Sequence, residues 1–288
     1  MSEPDTGIGS GQTAVVALWA FLLLYVVARV LQVFPGRVPM LAVVALHVLP
    51  PAVFALIHGA MLYRWRGIAA FFAICLVVGN VFENLPFGSY YFTELMGPKL
   101  FVVPSLLGVA YLGMAYLSWT LAHLILGCPR GPLVGLRVIT LPLIASCIMV
   151  AWDFSRDPIW STILHAWIWL RGGPYFGVPV SNFWGWFLTV YVSYQLFALY
   201  LRRDSTNLAP LPSFYWQLAV LFYGVSAAGN ILLAIPSTGL SVVSDPTGAQ
   251  WKVSDITNAC ALASIFTMGI FALLAWVRIV DETVGTGN

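Results

Sequence analysis

Between residues 12 and 34 the chain carries a single charged side chain, Arg29, and several later stretches of similar length are nearly as apolar. A bilayer's hydrocarbon core, roughly 30 Å thick, is crossed by a helix of about 20 such residues. Lipid offers the backbone no hydrogen bonds, so each stretch reads as a spanning helix. Only 8% of the 288 residues are charged, against roughly a quarter in soluble domains. So little charge cannot cover a water-facing surface, which excludes a soluble enzyme. Disorder needs low hydrophobicity, yet 60% of this chain is hydrophobic. A net charge of +2 is too small for a nucleic-acid face, which needs clustered cations. What remains is an all-α, polytopic transmembrane bundle.

Eight spans are expected, with seven or nine as alternatives: residues 12–34, 39–63, 68–85, 100–126, 134–153, 179–201, 214–235 and 254–280. Pro50-Pro51 kinks the second, and Arg64 and Arg66 end it. Residues 158–170 are rich in tryptophan but too short to cross, so a re-entrant or interfacial segment is expected there, with a tilted helix whose end lies further on as the alternative. The chain reads as one integral-membrane domain, 1–288, with polar tails at 1–11 and 281–288. The first eleven residues lack a basic n-region, so no cleavable signal is expected. Arginines cluster in tight pairs (Arg64 and Arg66, Arg202 and Arg203) on the side holding both termini, which places the termini in the cytoplasm. Cys75, Cys128, Cys147 and Cys260 are too far apart for paired metal-ligand spacing.

Ionisable and amide groups at membrane depth mark function by default, and here they gather in two segments. One is the end of span three and its loop, with Asn80, Glu83, Asn84, Tyr90 and Glu94. Asn80, Glu83 and Asn84 are spaced to share a helix face. The other runs from Trp152-Asp153 through Arg156-Asp157-Pro158, Trp167-Ile168-Trp169 and Tyr175 to Asn182-Phe183-Trp184-Gly185-Trp186. Eight spans put both loops on one membrane side, where they can converge on one cavity.

Plainer readings stand beside this one. Asp153, Arg156 and Asp157 could be a salt-bridged cluster at headgroup level, and Asp157 or Asn182 a helix cap. Trp160, Trp216, Trp251 and Trp276 read as an interfacial belt, and His47, His58 and His123 as hydrogen-bonded packing residues. No histidine–carboxylate metal spacing, Asp-rich magnesium motif or Gly-rich phosphate loop occurs.

Carboxylic acids among aromatic rings suit protonation of an electron-rich alkene, because burial lets a carboxyl hold its proton near neutral pH. Trp and Tyr faces stabilise the resulting tertiary cation by about 1–2 kcal/mol each when desolvated. Asp153 is the expected donor or its immediate partner, with Asp157 the alternative and Arg156 holding whichever carboxylate stays ionised. Glu83 is the third catalytic candidate. Asn182 is expected to position water, with Trp186 one turn on along the same face. Asn80, Tyr90, Glu94, Trp152, Trp167, Trp169, Tyr175, Trp184 and Trp186 are expected to line the substrate cavity.

Two blocks resemble the membrane-embedded carotenoid biosynthesis family that includes bacterial and archaeal carotenoid hydratases. The first is Pro86-Phe87-Gly88-Ser89-Tyr90-Tyr91-Phe92 with Leu95-Met96-Gly97-Pro98-Lys99-Leu100 and Val103-Pro104. The second is Ala151-Trp152-Asp153, Asp157-Pro158, Trp167-Ile168-Trp169 and Tyr175-Phe176-Gly177-Val178-Pro179-Val180-Ser181-Asn182-Phe183-Trp184-Gly185-Trp186. The resemblance implies addition of water to the terminal double bond of an acyclic (ψ) carotenoid end, without a cofactor or metal, in a prokaryotic cytoplasmic membrane. It also implies an isoprenoid drawn from the bilayer, water as second substrate, and other pathway enzymes as partners. Tyr111, Pro174 and the spacing of Glu83 from Pro86 depart from the family pattern around the pocket, which leaves the substrate's length open. The alternatives are a membrane terpene cyclase using the same protonation, and a non-catalytic isoprenoid-binding or transport protein.

Overall fold

The structure, a computed structural model, describes residues 7–34, 37–84, 90–100, 102–127, 133–203, 211–235 and 241–285. Its helices are α1 (Gly7–Leu31), α2 (Met40–Asn84), α3 (Ser105–Ile125), α4 (Arg137–Phe154), α5 (Val180–Arg203), α6 (Ser213–Ala234), α7 (Val253–Ala263) and α8 (Ile270–Gly285). A π-helical turn, Ser264–Gly269, joins α7 to α8 in one long apolar segment. The bundle is all-α, as expected, and six helical segments are long and apolar enough to cross a membrane.

One of those six is α2, at 45 residues. Unbroken it would measure about 68 Å, over twice the hydrocarbon thickness. It breaks at Arg64, whose backbone (φ 57°, ψ 171°) is not helical. The halves fold back on each other, since a Cβ at Gly59 would run into the Ile68 side chain. α2 therefore makes two passes. α5, 24 residues long, is more polar and not among the six; counted as a pass, it brings the passes among the described residues to eight, the number expected.

Close packing of these passes depends on small residues, as in other membrane bundles. A Cβ on Gly113 would lie 2.7 Å from the Pro51 carbonyl carbon and 2.8 Å from the Ala52 nitrogen, so α3 meets α2 backbone to backbone. Pro50 and Pro51 sit inside α2 at this crossing. The core is aromatic, with Trp119, Tyr116, Tyr194, Phe71 and Phe197 fully buried. His58 is a packing residue, as expected: Nδ1 pairs with the Tyr116 hydroxyl at 2.7 Å and Nε2 with the Tyr215 carbonyl at 2.8 Å.

Residues 158–170 form no separate re-entrant piece. Helical winding resumes after the turn at Ser155–Arg156 and continues as a π-helical turn, Ile159–Ile163, so the fifth span reaches Ile163. Pro158, which has no N–H to donate, stands where that winding restarts. The chain then enters a strand, β4 (Trp167–Trp169), antiparallel to β1 (Tyr90–Phe92), with Tyr90 opposite Trp169 and Phe92 opposite Trp167. The two polar loops are thus tied by a backbone ladder. Span four likewise starts later than expected: Lys99–Leu100 (β2) and Val103–Pro104 (β3) form a two-stranded ribbon before α3.

A third ribbon, β5 (Val242–Ser244) with β6 (Gln250–Lys252), leads into α7. Asp245 closes it, accepting from Thr247 N (2.9 Å), Thr247 Oγ1 (2.6 Å), Ala249 N (3.1 Å) and Trp251 Nε1 (3.3 Å). Burial pushes the Asp245 carboxyl up, but these donors outweigh it and hold the group below the usual carboxylate range.

Candidate active site

Asp153 and Asp157 lie one helical turn apart at the end of α4, so both point the same way. They are 4% and 2% exposed. A buried carboxyl is tolerated only when hydrogen-bonded, and here one amide serves both. Asn182 Nδ2, in the first turn of α5, donates to Asp153 Oδ2 at 3.1 Å and to Asp157 Oδ2 at 2.5 Å. Its side chain therefore binds the acids rather than capping its helix. The other oxygen of Asp157 accepts from Trp167 Nε1 at 2.8 Å, an indole placed there by the β1–β4 ladder.

Glu83, in the last turn of α2, accepts from Tyr90 Oη on one oxygen and from Tyr111 Oη on the other. Tyr90 packs on Trp169 at 4.6 Å, and Tyr111 stacks on Trp186 at 4.5 Å. Burial and the adjacent Glu83 push the Tyr90 hydroxyl well above its ordinary value, so it remains a donor.

Two small chambers flank this cluster. The first, about 70 Å³, has Asp153 and Asp157 in its wall with Trp152, Trp160, Trp167, Trp186, Leu107 and Met114. His47, Arg156 and Trp160 also border a much larger cavity of about 560 Å³, lined mostly by apolar residues such as Leu31, Phe34, Ile159 and Leu233. These three residues stand between the large cavity and the chamber of the acids. The second chamber, also about 70 Å³, has Glu83, Tyr90, Tyr111, Ser181, Asn182 and Thr189 in its wall. Trp186 borders both small chambers.

Some expected residues lie elsewhere. Arg156 holds neither aspartate: among the described residues it has no carboxylate within ion-pair distance. It borders the same chamber as the acids without pairing with either. Its guanidinium lies between Trp152 and Trp160, 5.4 and 5.2 Å from the ring centroids. The Asn80 amide donates to its own helix at Leu76 O (2.8 Å), and Asn84 likewise to Asn80 O. Glu94 is 94% exposed and pairs with Lys99 at 2.8 Å, in a surface turn away from the cavity. Trp184 is 69% exposed, because two residues from Asn182 it lies across the helix from the acids. Tyr175 stacks on Phe154 at 4.4 Å and donates to its carbonyl, covering the end of α4 outside the chambers. Pro86 to Ser89 lie outside the described residues.

Two residues not expected at the site belong to it, and Tyr111, which the resemblance set at the pocket, has a definite partner there. Trp160, read as interfacial, is in the wall of the first chamber, and so is His47. Tyr111 holds Glu83, and a phenol inside an apolar span was the sequence signal for it. Trp216, also read as interfacial, is 6% exposed in the core. Among the described residues no group of three or more His, Cys, Asp and Glu side chains could hold a metal ion.

Neither curated proteins nor solved structures gave a match. Residues 36–244, however, match the carotenoid biosynthesis protein family. The matched region contains both aspartates, Glu83, Asn182 and every tryptophan around them. The chain is an integral-membrane member of the carotenoid biosynthesis protein family, with a role in carotenoid biosynthesis.

Proposed function

We propose that this protein is an intramembrane hydratase that adds water to the terminal double bond of an isoprenoid, the ψ end of a carotenoid. The observation that carries this reading is the Asn182 amide bridging two buried carboxyls in an aromatic chamber that shares His47, Arg156 and Trp160 with a larger, mostly apolar cavity. Of the two, Asp157 accepts a further hydrogen bond, from Trp167, which Asp153 lacks. Asp153 is then the acid.

The Asp153 proton goes to the terminal alkene, whose π pair forms the new C–H bond. Positive charge develops on the tertiary carbon, facing Trp152, Trp167 and Trp186. A water held at Asn182 gives an oxygen pair to that carbon, forming the C–O bond. Its proton returns to the carboxylate pair, which ends as it began. Acid, base and cation-facing rings all come from the chain, so the reading calls on no cofactor. The isoprenoid enters from the bilayer, and both termini face the cytoplasm.

Expression in a lycopene-accumulating bacterial host, with mass analysis of the pigments, tests this. A product heavier by one water is expected, and Asp153→Asn should lose nearly all of it while still inserting in the membrane. A new product of unchanged mass would identify a cyclase instead. No new product, or retention of more than about half the activity by Asp153→Asn, overturns the assignment.

A further inference from the structure

The hydratase reading leaves one requirement open: water must reach a cation buried among tryptophans without flooding the isoprenoid cavity. The two small chambers differ in chemistry. Around the aspartates the wall is chiefly aromatic and aliphatic. The chamber on the other side of Trp186 is edged by a carboxylate, two phenols, two hydroxyls and an amide: Glu83, Tyr90, Tyr111, Ser181, Thr189 and Asn182. A buried water needs two to four polar partners and shares about 30 Å³ in the liquid. At about 70 Å³ this chamber has room for roughly two. Ser181, in its wall, is exposed.

Asn182 borders this polar chamber, although its amide nitrogen reaches the acids of the other. With Nδ2 committed to both carboxyls, Oδ1 has no hydrogen-bond partner among the described residues, and a carbonyl oxygen accepts from water. Gly185, three residues further along α5, is also in this wall. A Cβ there would meet nothing within 4 Å. The missing side chain leaves open space at this part of the wall.

We propose that the Glu83 chamber is the water site of the enzyme, separate from the isoprenoid cavity, and that Gly185 keeps it open and thereby selects hydration over proton loss. This rests on the hydratase reading. Glu83 and its two tyrosines hold the waters, and Asn182 presents one to the cation. Where no water is presented, the cation instead gives up a neighbouring proton to the carboxylate, its C–H pair becoming a new double bond, and the mass is unchanged.

The experiment compares the full-length wild type with Gly185→Ala, Gly185→Leu and Ala110→Leu in the carotenoid-producing host, normalised to membrane protein. Alanine favours a helix over glycine, so Gly185→Ala guards against a folding failure of the leucine variant. Gly185→Leu should lower the ratio of hydrated to unchanged-mass products by about tenfold or more, with Gly185→Ala shifting it the same way by less. Ala110 borders the apolar chamber, so Ala110→Leu should lower total conversion and leave the ratio unaltered. If both Gly185 variants keep the wild-type ratio, or if Ala110→Leu shifts it as strongly, the water-site assignment is overturned while the hydratase reading stands. A wild type that forms no hydrated product overturns both.

Discussion

Replacing Asn182 by leucine, similar in size but unable to hydrogen-bond, removes the one side chain that holds both aspartates. Two bonds are lost, at 3.1 and 2.5 Å. Hydrogen bonds to charged groups contribute roughly 1.5–3 kcal/mol each in soluble proteins, which gives an upper bound of about 6. Interhelical bonds in membranes average only about 0.6 kcal/mol, because the inserted but unpacked chain also finds partners. Here Asp157 keeps its bond from Trp167, whereas among the described residues Asp153 loses its only side-chain partner. A destabilisation of about 1–3 kcal/mol is therefore expected. It can be read from thermal unfolding in detergent at matched protein and detergent concentrations. Pigment analysis of the same membranes should show hydrated product giving way to products of unchanged mass. Stability within about 0.5 kcal/mol of wild type, together with an unaltered product ratio, would refute the bridge.

Two further outcomes follow from the packing. Gly113→Ala should destabilise the protein by about 1–3 kcal/mol, because the added methyl group meets Pro51 and Ala52 backbone at 2.7–2.8 Å; unchanged thermal unfolding would count against that close α2–α3 crossing. The Asp245 carboxyl is held below its ordinary value of 3.8, so its contribution to stability is complete above that pH and is lost as pH falls through the lowered value. Protection of residues 241–252 from hydrogen exchange should drop on acidification in wild type but not in Asp245→Asn. Equal acid sensitivity in the two proteins would refute the role given to its four donors.

Much of this was legible along the chain. Hydropathy sums locally over a window, so the passes, their approximate ends and the break near Arg64 could be read without knowing what packs where. Two spans, the fourth and fifth, separate the loop after Glu83 from the segment after Asp153, which put both on one side. The four-residue spacing of Asp153 and Asp157 is a property of any helix. Asn182 and Trp186 share a face for the same reason.

Side-chain direction at the ends of helices was decided only in three dimensions. Arg156 lies among acids in sequence, yet its guanidinium sits between the rings of Trp152 and Trp160 rather than on either carboxylate. Asn80 had the right spacing from Glu83, yet its amide found a nearer acceptor at Leu76. The β1–β4 ladder that brings Trp167 to Asp157 joins residues far apart in the chain, and no local pattern encodes that pairing. Nor did hydropathy separate Trp160 at the cavity from a tryptophan at the lipid surface, or mark Tyr111 as the partner of Glu83. The sequence by itself determined the solvent, the passes and the candidate polar groups. Which of those groups meet was left to tertiary structure, because a contact depends on the phase of two helices at once and a one-dimensional pattern carries the phase of only one.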